Sequence, residues 1–399
     1  MTSALFLSLS LLAPVQSQTD FASAYDQFAN AVRRNFYARD TRGPEMEQRL
    51  KEAEPKAKAA KTKAEFSKEM NSMIEGFNDS HFHFYTDEDQ GFYAMDAILK
   101  TGLIRQPDAP AAKPMPSIGV FFKPSPQGWV AGMVMEGSAA ANAGVRKGDI
   151  FKSVGGSAFA PILPLKNWIN QTPEFTLERG GREVKTKIEV KAENTLDMFA
   201  NGTRRSARVI EQGGKKIGYI HIWTMVRDDF KTFMTTWVLN GPGRDTDAII
   251  YDIRDGFGGR PEGYIDPFFM PPITMKWISP GFAQQQTIGY GKPVVVLINE
   301  GSRSAKEVVA KAFKDTGRAT LVGKPTTGHV LGTYPIPLGD WAYGEVPMVQ
   351  LEVNGVKLEK NPVTPHITVE REIGEDGADL ALAKALEIAV EKAKAAEEK

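Results

Sequence analysis

The sequence predicts a multidomain α/β (α+β) protein with a helical N-terminal domain, a β-rich middle domain and a core of mixed β-sheet with helices. Three observations carry that expectation. Apolar residues near the N-terminus recur every three or four positions, and short β-branched runs broken by Gly and Pro fill the middle. Strand-like and helix-like segments then alternate to the end. A length of 399 residues favours two or three domains over one.

Residues 1–17 read as a signal peptide. The short apolar run Ala4–Ala13 precedes Val15-Gln16-Ser17, with small residues where a signal peptidase reads, although no Lys or Arg comes before the run. Cleavage near Gln18 would give an exported product, periplasmic or extracellular. No other stretch approaches the ~20 apolar residues of a membrane span. Residues 18–104 form the helical domain: Phe21, Tyr25, Phe28 and Val32 share one face, and Lys51–Lys68 is rich in Ala, Lys and Glu. Residues 105–116, dense in Pro and Ala, read as a linker.

Residues 117–192 hold the short strands. Ile118–Phe122 and Trp129–Val134 are β-like, and Gly137–Val145 supplies a short helix with a Gly stop before Arg146–Phe151 turns into the next strand. The run Gly-Ser-x-Ala-x-x-Ala-Gly-Val-x-x-Gly-Asp in this stretch resembles a PDZ domain, with Ala139 where Pro is usual. That resemblance implies a peptide-binding module, with Ser117, Ile118, Gly119 and Val120 as its carboxylate loop. Residues 205–399 alternate strand and helix. Strands are expected at Lys216–Ile222, Ala248–Asp252, Pro293–Ile298 and Ala319–Val322. Helices are expected at Asp228–Leu239, Ser304–Lys314 and Asp379–Lys394, the last burying Leu380, Ala383, Leu386 and Val390.

Composition removes several function classes. Lys+Arg and Asp+Glu both number 49, so no net charge argues for nucleic acid or an anionic membrane. There is no cysteine, which excludes a disulfide framework, a thiol nucleophile and a thiolate metal site.

The chemistry concentrates at Val294–Glu307. A hydrophobic strand ends, a polar turn follows, and a helix begins at or beside Ser304, holding a hydroxyl clear of the sheet at a helix N-terminus. Ser304-Ala305-Lys306-Glu307 also fits a capping box, which alone explains a serine there. A second strand runs into the Gly-rich turn Asp255–Gly259, which lacks the Lys-Ser/Thr ending of a phosphate loop.

Asp-x-Arg-x-x-x-Gly-Gly, Asn-Glu-Gly-Ser-x-Ser-Ala-x-Glu, Asp315-Thr316-Gly317-Arg318 and Val322–Gly328 resemble the S41 peptidase family, the C-terminal processing (tail-specific) proteases and their tricorn-like relatives. The resemblance runs over nearly all of the mature chain. It implies a ClpP/crotonase-like core with Ser304 as nucleophile, and oxyanion donors at Gly258, Gly259 and Ala305. Processing members place a Lys after the Pro-Thr-x-Gly motif, where this chain has His329. Tricorn-like members use a Ser-His pair with a distant Glu, which here would be Ser80, His81 and Glu359. His81 is the preferred general base, near its ordinary pKa of about 6.5. His329, and after it Lys306 or Lys324, are the alternatives.

The other histidines read as structural. His83 completes no metal-ligand spacing with Asp79 or Asp87, His221 lies within a strand, and His366 has no evident partner. Asp315 reads as a helix-end residue. Two functions compete: a serine endopeptidase that acts on exported proteins or peptides, with their C-termini as the feature recognised, and an inactive relative that only binds peptides. An unrelated esterase-like hydrolase ranks behind both, since the Gly-x-Ser-x-Gly elbow is missing. No metal or organic cofactor is implied, and the oligomeric state is open.

Overall fold

A computed structural model describes residues 20–102, 110–375 and 377–398. The signal-peptide reading of residues 1–17 falls outside them, as does the first part of the linker. The α+β expectation holds: a helical N-terminus is followed by several sheets. Among the described residues no helix is long and apolar enough to cross a membrane.

Three helices open the chain, Phe21–Asn35, Arg39–Ala59 and Lys63–Glu75. Asp20 and Thr62 cap the first and third by accepting from backbone N–H groups three residues on. Their apolar faces close around Phe28, Leu50, Phe66 and Met70, with Phe82 and Phe84 completing the core. The strand His83–Thr86 then pairs antiparallel with Ala342–Gln350, which pairs in turn with Leu331–Leu338. This sheet stands between two cores. Phe84 and Gly344 face the helices, so closely that a Cβ on Gly344 would lie 2.4 Å from the Phe28 ring. Because side chains alternate, His83, Tyr85, Tyr343 and Glu345 point the other way, toward the C-terminal core.

The middle body is an antiparallel sheet in the order Val120–Ser125, Gly128–Val134, Ile150–Val154, Glu174–Arg179 and Arg182–Lys187. Val120–Ser125 lies at its edge. Met115–Ser117 is not linker: it pairs with Lys191–Glu193, and Met115 is fully buried.

The C-terminal block is a six-stranded sheet. Arg208–Gln212 runs antiparallel to Lys215–His221; Ala248–Asp252, Val294–Ile298, Thr320–Gly323 and Ile367–Thr368 follow in parallel. Helices Asp228–Leu239 and Ala305–Thr316 cover one face, and Leu380–Glu397 covers the other. The last helix buries Ala381, Ala385, Ala389 and Ala393, not the larger residues expected; Leu380 is exposed and Ala383 points outward. Small side chains every fourth residue let the helix lie close on the sheet, while Leu382, Leu386, Ile388 and Val390 pack along its flanks.

That close approach is testable. Ala385→Leu is expected to overpack the helix against Ile217, Ile250 and Val322 and to destabilise the protein by about 1–3 kcal/mol. Chemical denaturation would read this as a lower midpoint, and an unchanged midpoint would contradict the packing described.

Candidate active site

Strands Ala248–Asp252 and Val294–Ile298 are neighbours in parallel, so the turns after them emerge side by side. Side chains stitch the two turns together. Asn299 Oδ1 accepts from the N–H of Asp255 (3.1 Å) and of Gly301 (2.9 Å), and Ser302 Oγ donates to the Ile253 carbonyl (2.8 Å). Below them Arg254, 5% exposed, is bound by Asp252 and Asp379. Burial opposes ionisation of Asp252, but the guanidinium outweighs it and holds the carboxyl below the usual range. Lys147, from the middle body, reaches Asp255 at 2.6 Å and Glu372 at 3.2 Å.

Ser304 tops the second turn at φ 59°, ψ −126°, a conformation that costs a non-glycine residue about 1–3 kcal/mol. Ser304 and Glu307 form the capping box that the sequence predicts. Glu307 accepts from the Ser304 N–H (3.2 Å), and its own N–H donates to the Ser304 carbonyl (2.8 Å). Gly258 lies against it: a Cβ there would stand 2.5 Å from Ser304 Cβ, 2.8 Å from Oγ and 2.9 Å from Ala305 N. Only glycine fits. Gly259, at φ 132°, packs its Cα against the Met225 backbone, while Met225 N–H holds the Gly258 carbonyl at 2.8 Å. Among the described residues no acceptor meets the N–H groups of Gly258, Gly259 or Ala305.

Ser80, His81 and Glu359 come together although far apart in sequence. Ser80 donates its hydroxyl hydrogen to Glu359 Oε2 (2.8 Å) and its N–H to Glu359 Oε1 (3.1 Å); its Oγ lies 2.9 Å from His81 Nδ1. The turn is anchored by Asp79, whose buried carboxylate binds Arg42 (2.6 Å) and Tyr37 (2.8 Å). His81 sits at φ 55°. With the one Ser80 proton directed at a carboxylate, His81 Nδ1 must donate, which leaves Nε2 as the free lone pair. The histidine is not near its ordinary pKa. Burial, reinforced by Arg303, His83 and His329, pushes it down to about 3. Its ring is therefore neutral throughout the physiological range.

His329 meets Ser304 through its backbone. Its carbonyl accepts from Ser304 N–H (2.8 Å), and Glu307 accepts from the N–H groups of Gly328 (2.7 Å) and His329 (2.8 Å). Its ring, lowered in pKa by burial, makes no hydrogen bond among the described residues. Lys306 is fully buried and donates to the carbonyls of Arg254 (3.3 Å) and Asp255. Burial lowers it to about 7 against the pull of Asp255 and Asp252. It is spent on the glycine turn. Lys324 lies at the surface, 3.9 Å from Glu300.

His221 bonds Glu136 at 2.8 Å and the Arg254 carbonyl at 3.1 Å. His366 does have a partner: its Nδ1 accepts from Leu321 N–H (2.9 Å), pinning the last parallel strand. Asp315, near the end of its helix, is paired with Lys311. Ser117, Ile118 and Gly119 line a cavity of about 340 Å³ with Ser138, Lys191 and Arg205. The Gly119 N–H is already held by Ser117 Oγ (2.8 Å). The strand edge beyond is also occupied, and not by the linker. Gln90, buried at the start of helix Gln90–Thr101, donates to the Val120 carbonyl and accepts from Phe122 N–H, both at 2.8 Å. One side-chain amide thus fills a rung that an added strand would use.

Residues 216–369 match the family model described as peptidase family S41. Carboxyl-terminal-processing peptidase 2, chloroplastic, of Arabidopsis thaliana is 33% identical over 130 residues, 28% of this chain and 24% of that protein. The chain matches between 20% and 32% of the length of the first three curated relatives. Among solved structures the tricorn protease has a TM-score of 0.57 at 18% identity, over 94% of this chain and 37% of that one. The photosystem II D1 C-terminal processing protease has a TM-score of 0.54 at 17% identity, over 94% and 98%. At these identities the likeness is one of fold.

The protonation of His81 can be checked directly. Unfolded His81 binds a proton below about 6.5, the folded residue only near 3, so its contribution to stability falls as pH drops through that interval. Nitrogen-15 NMR of labelled histidine is expected to show a neutral, Nδ1-protonated ring at pH 5. A titration near 6.5, or the Nε2 tautomer, would contradict the Ser80–Glu359 arrangement.

Proposed function

With residues 216–369 matching the model of peptidase family S41, we propose that the chain is a serine endopeptidase that acts through an acyl-enzyme on Ser304. The observation that carries this reading is the hydrogen-bonded chain from Glu359 through Ser80 to His81, tied through the loop 328–330 to the strained Ser304 at a helix N-terminus. His81 Nε2 takes the Ser304 proton as Oγ attacks the scissile carbonyl. The oxyanion is received by the N–H groups of Ala305 and of Gly258 or Gly259. The imidazolium returns its proton to the leaving amine, and water hydrolyses the ester by the same base. Glu359 stabilises the imidazolium through Ser80.

The use of His329 as a backbone anchor favours His81 as the base over His329. Substrates in this reading are exported proteins or peptides, the export resting on the N-terminal leader motif. The middle body serves as a PDZ-like peptide site at the Val120–Ser125 edge, open only when Gln90 withdraws.

Two experiments follow. Ser304→Ala is expected to abolish cleavage of a denatured protein with the fold intact by circular dichroism. His81→Ala should lose ~10²–10⁴-fold in kcat/KM, and His329→Ala less than tenfold. Full activity in His81→Ala would place the base elsewhere; no activity in the wild type would favour a protein that only binds peptides. In a Ser304→Ala background, Gln90→Ala frees two backbone groups. It is expected to tighten binding of a fluorescent decapeptide with a free C-terminus by about 5–30-fold, read by anisotropy. Unchanged affinity would remove that edge as the peptide seat.

A further inference from the structure

Four buried clusters gather the apolar side chains of the described residues, and one hairpin contributes to none of them. Its strands, Ile273–Ser279 and Phe282–Ile288, pair only with each other across the turn Pro280-Gly281. A lone two-stranded hairpin is at best marginally stable in water. Its root is firm: Arg318 donates to the carbonyls of Phe268 (2.6 Å), Tyr290 (2.5 Å) and Lys292 (3.0 Å). Arg318 lies just past the far end of helix Ala305–Thr316, roughly 18 Å along it from Ser304, so the hairpin stands apart from the catalytic residues.

The register sorts its side chains. Ile273, Met275, Trp277, Phe282 and Ile288 share one face, and Ile278 lies on the other with Thr274 and Thr287, which bond each other at 3.1 Å. Ile278 is 77% exposed, Phe282 53% and Trp277 43%. Residues 267–299 contain no Asp or Glu, in a chain with 49 of them, and their only charges are Lys276 and Lys292. Whatever covers this hairpin has to surround its tip, because Ile278 faces away from Trp277 and Phe282. A second copy of the chain does not. Two strands of seven residues offer a face of roughly 23 by 10 Å, far below the ~800 Å² per partner of a stable dimer.

We infer that the tip of this hairpin inserts into the surface of a lipid bilayer and docks the protein there. Trp277 takes the headgroup level, Ile278 and Phe282 enter the acyl boundary, and Lys276 meets lipid phosphate. The open strand edges set the depth, since their N–H and C=O groups cannot lose water to hydrocarbon. Only the turn enters. The zero net charge of the chain does not oppose this: the apolar tip supplies the attraction, and no carboxylate in the segment repels an anionic surface. The inference is independent of the peptidase reading.

The test uses the mature chain from Gln18, without its apolar leader, and vesicles of phosphatidylcholine with one quarter phosphatidylglycerol. The chain is expected to cosediment with them, and lipids brominated high on the acyl chain are expected to quench its tryptophan emission. Trp277→Phe should keep the binding and lose the quenching. Ile278→Ser with Phe282→Ser, both at exposed positions, should retain the circular dichroism and lower the partition coefficient about tenfold or more. Absence of binding, equal partition of wild type and double variant, or quenching that survives Trp277→Phe would each overturn the inference. In sedimentation velocity without lipid, a dimer that the double variant abolishes, with no uptake by vesicles, would assign the hairpin to a second copy instead. Slower cleavage of a soluble unfolded protein by the double variant, again with no vesicle uptake, would make it a seat for substrate.

Discussion

The site depends on a short loop held from both sides by carboxylates. Gly328, His329 and Val330 give their N–H groups to Glu307 and Glu359, and the same two carboxylates hold Ser304 and Ser80. Glu359 accepts three hydrogen bonds, and Glu307 accepts three from N–H groups and another from Thr326. Burial raises the Glu307 pKa, and the N–H groups around it work against that rise. The loop fixes the distance between Ser304 and the segment carrying His81, and neither could be repositioned without breaking a charge-assisted bond worth about 1.5–3 kcal/mol.

A second layer of charge sits beneath the glycine turn. Arg254 is a buried cation bound by Asp252, Glu372 and Asp379, and the buried Lys306 amine donates to carbonyls of the turn itself. Buried ion pairs add little net stability, but breaking one is expensive. They therefore restrict the turn to one geometry, in which Gly258 lies against Ser304. Lys147 and Glu372 carry the same network to the middle body and to the segment before the last helix.

What was legible in the sequence was local. Strand, polar turn and helix around Ser304 follow one another along the chain, and so do the short strands of the middle body. The pairing of Ser80 with Glu359 is bridged by no periodicity and came only from the family resemblance. Glu307 reads as the partner of a cap, and it is one; that its carboxylate also binds amides contributed by a distant loop is what no spacing reveals. The alanine stripe of the last helix was misjudged because hydropathy favours Leu where close approach favours Ala. Burial set the protonation of His81, and burial is a property of the fold. Gln90 and Glu345 are polar residues at the start of a helix and within a strand, places where solvent exposure is the ordinary outcome; only the structure places them indoors.

The register that sets His83 opposite Glu345 has a consequence for how the chain is made. Synthesis runs from the N-terminus, and the helical body emerges long before the strand that completes it. Until residues 342–350 leave the ribosome, the strand His83–Thr86 has an open edge, and until Glu359 follows, Ser80 lacks its carboxylate. The loop that joins Ser304 to Ser80 and His81 is thus left unassembled for most of translation, and a chain that stops early carries the residues without their arrangement.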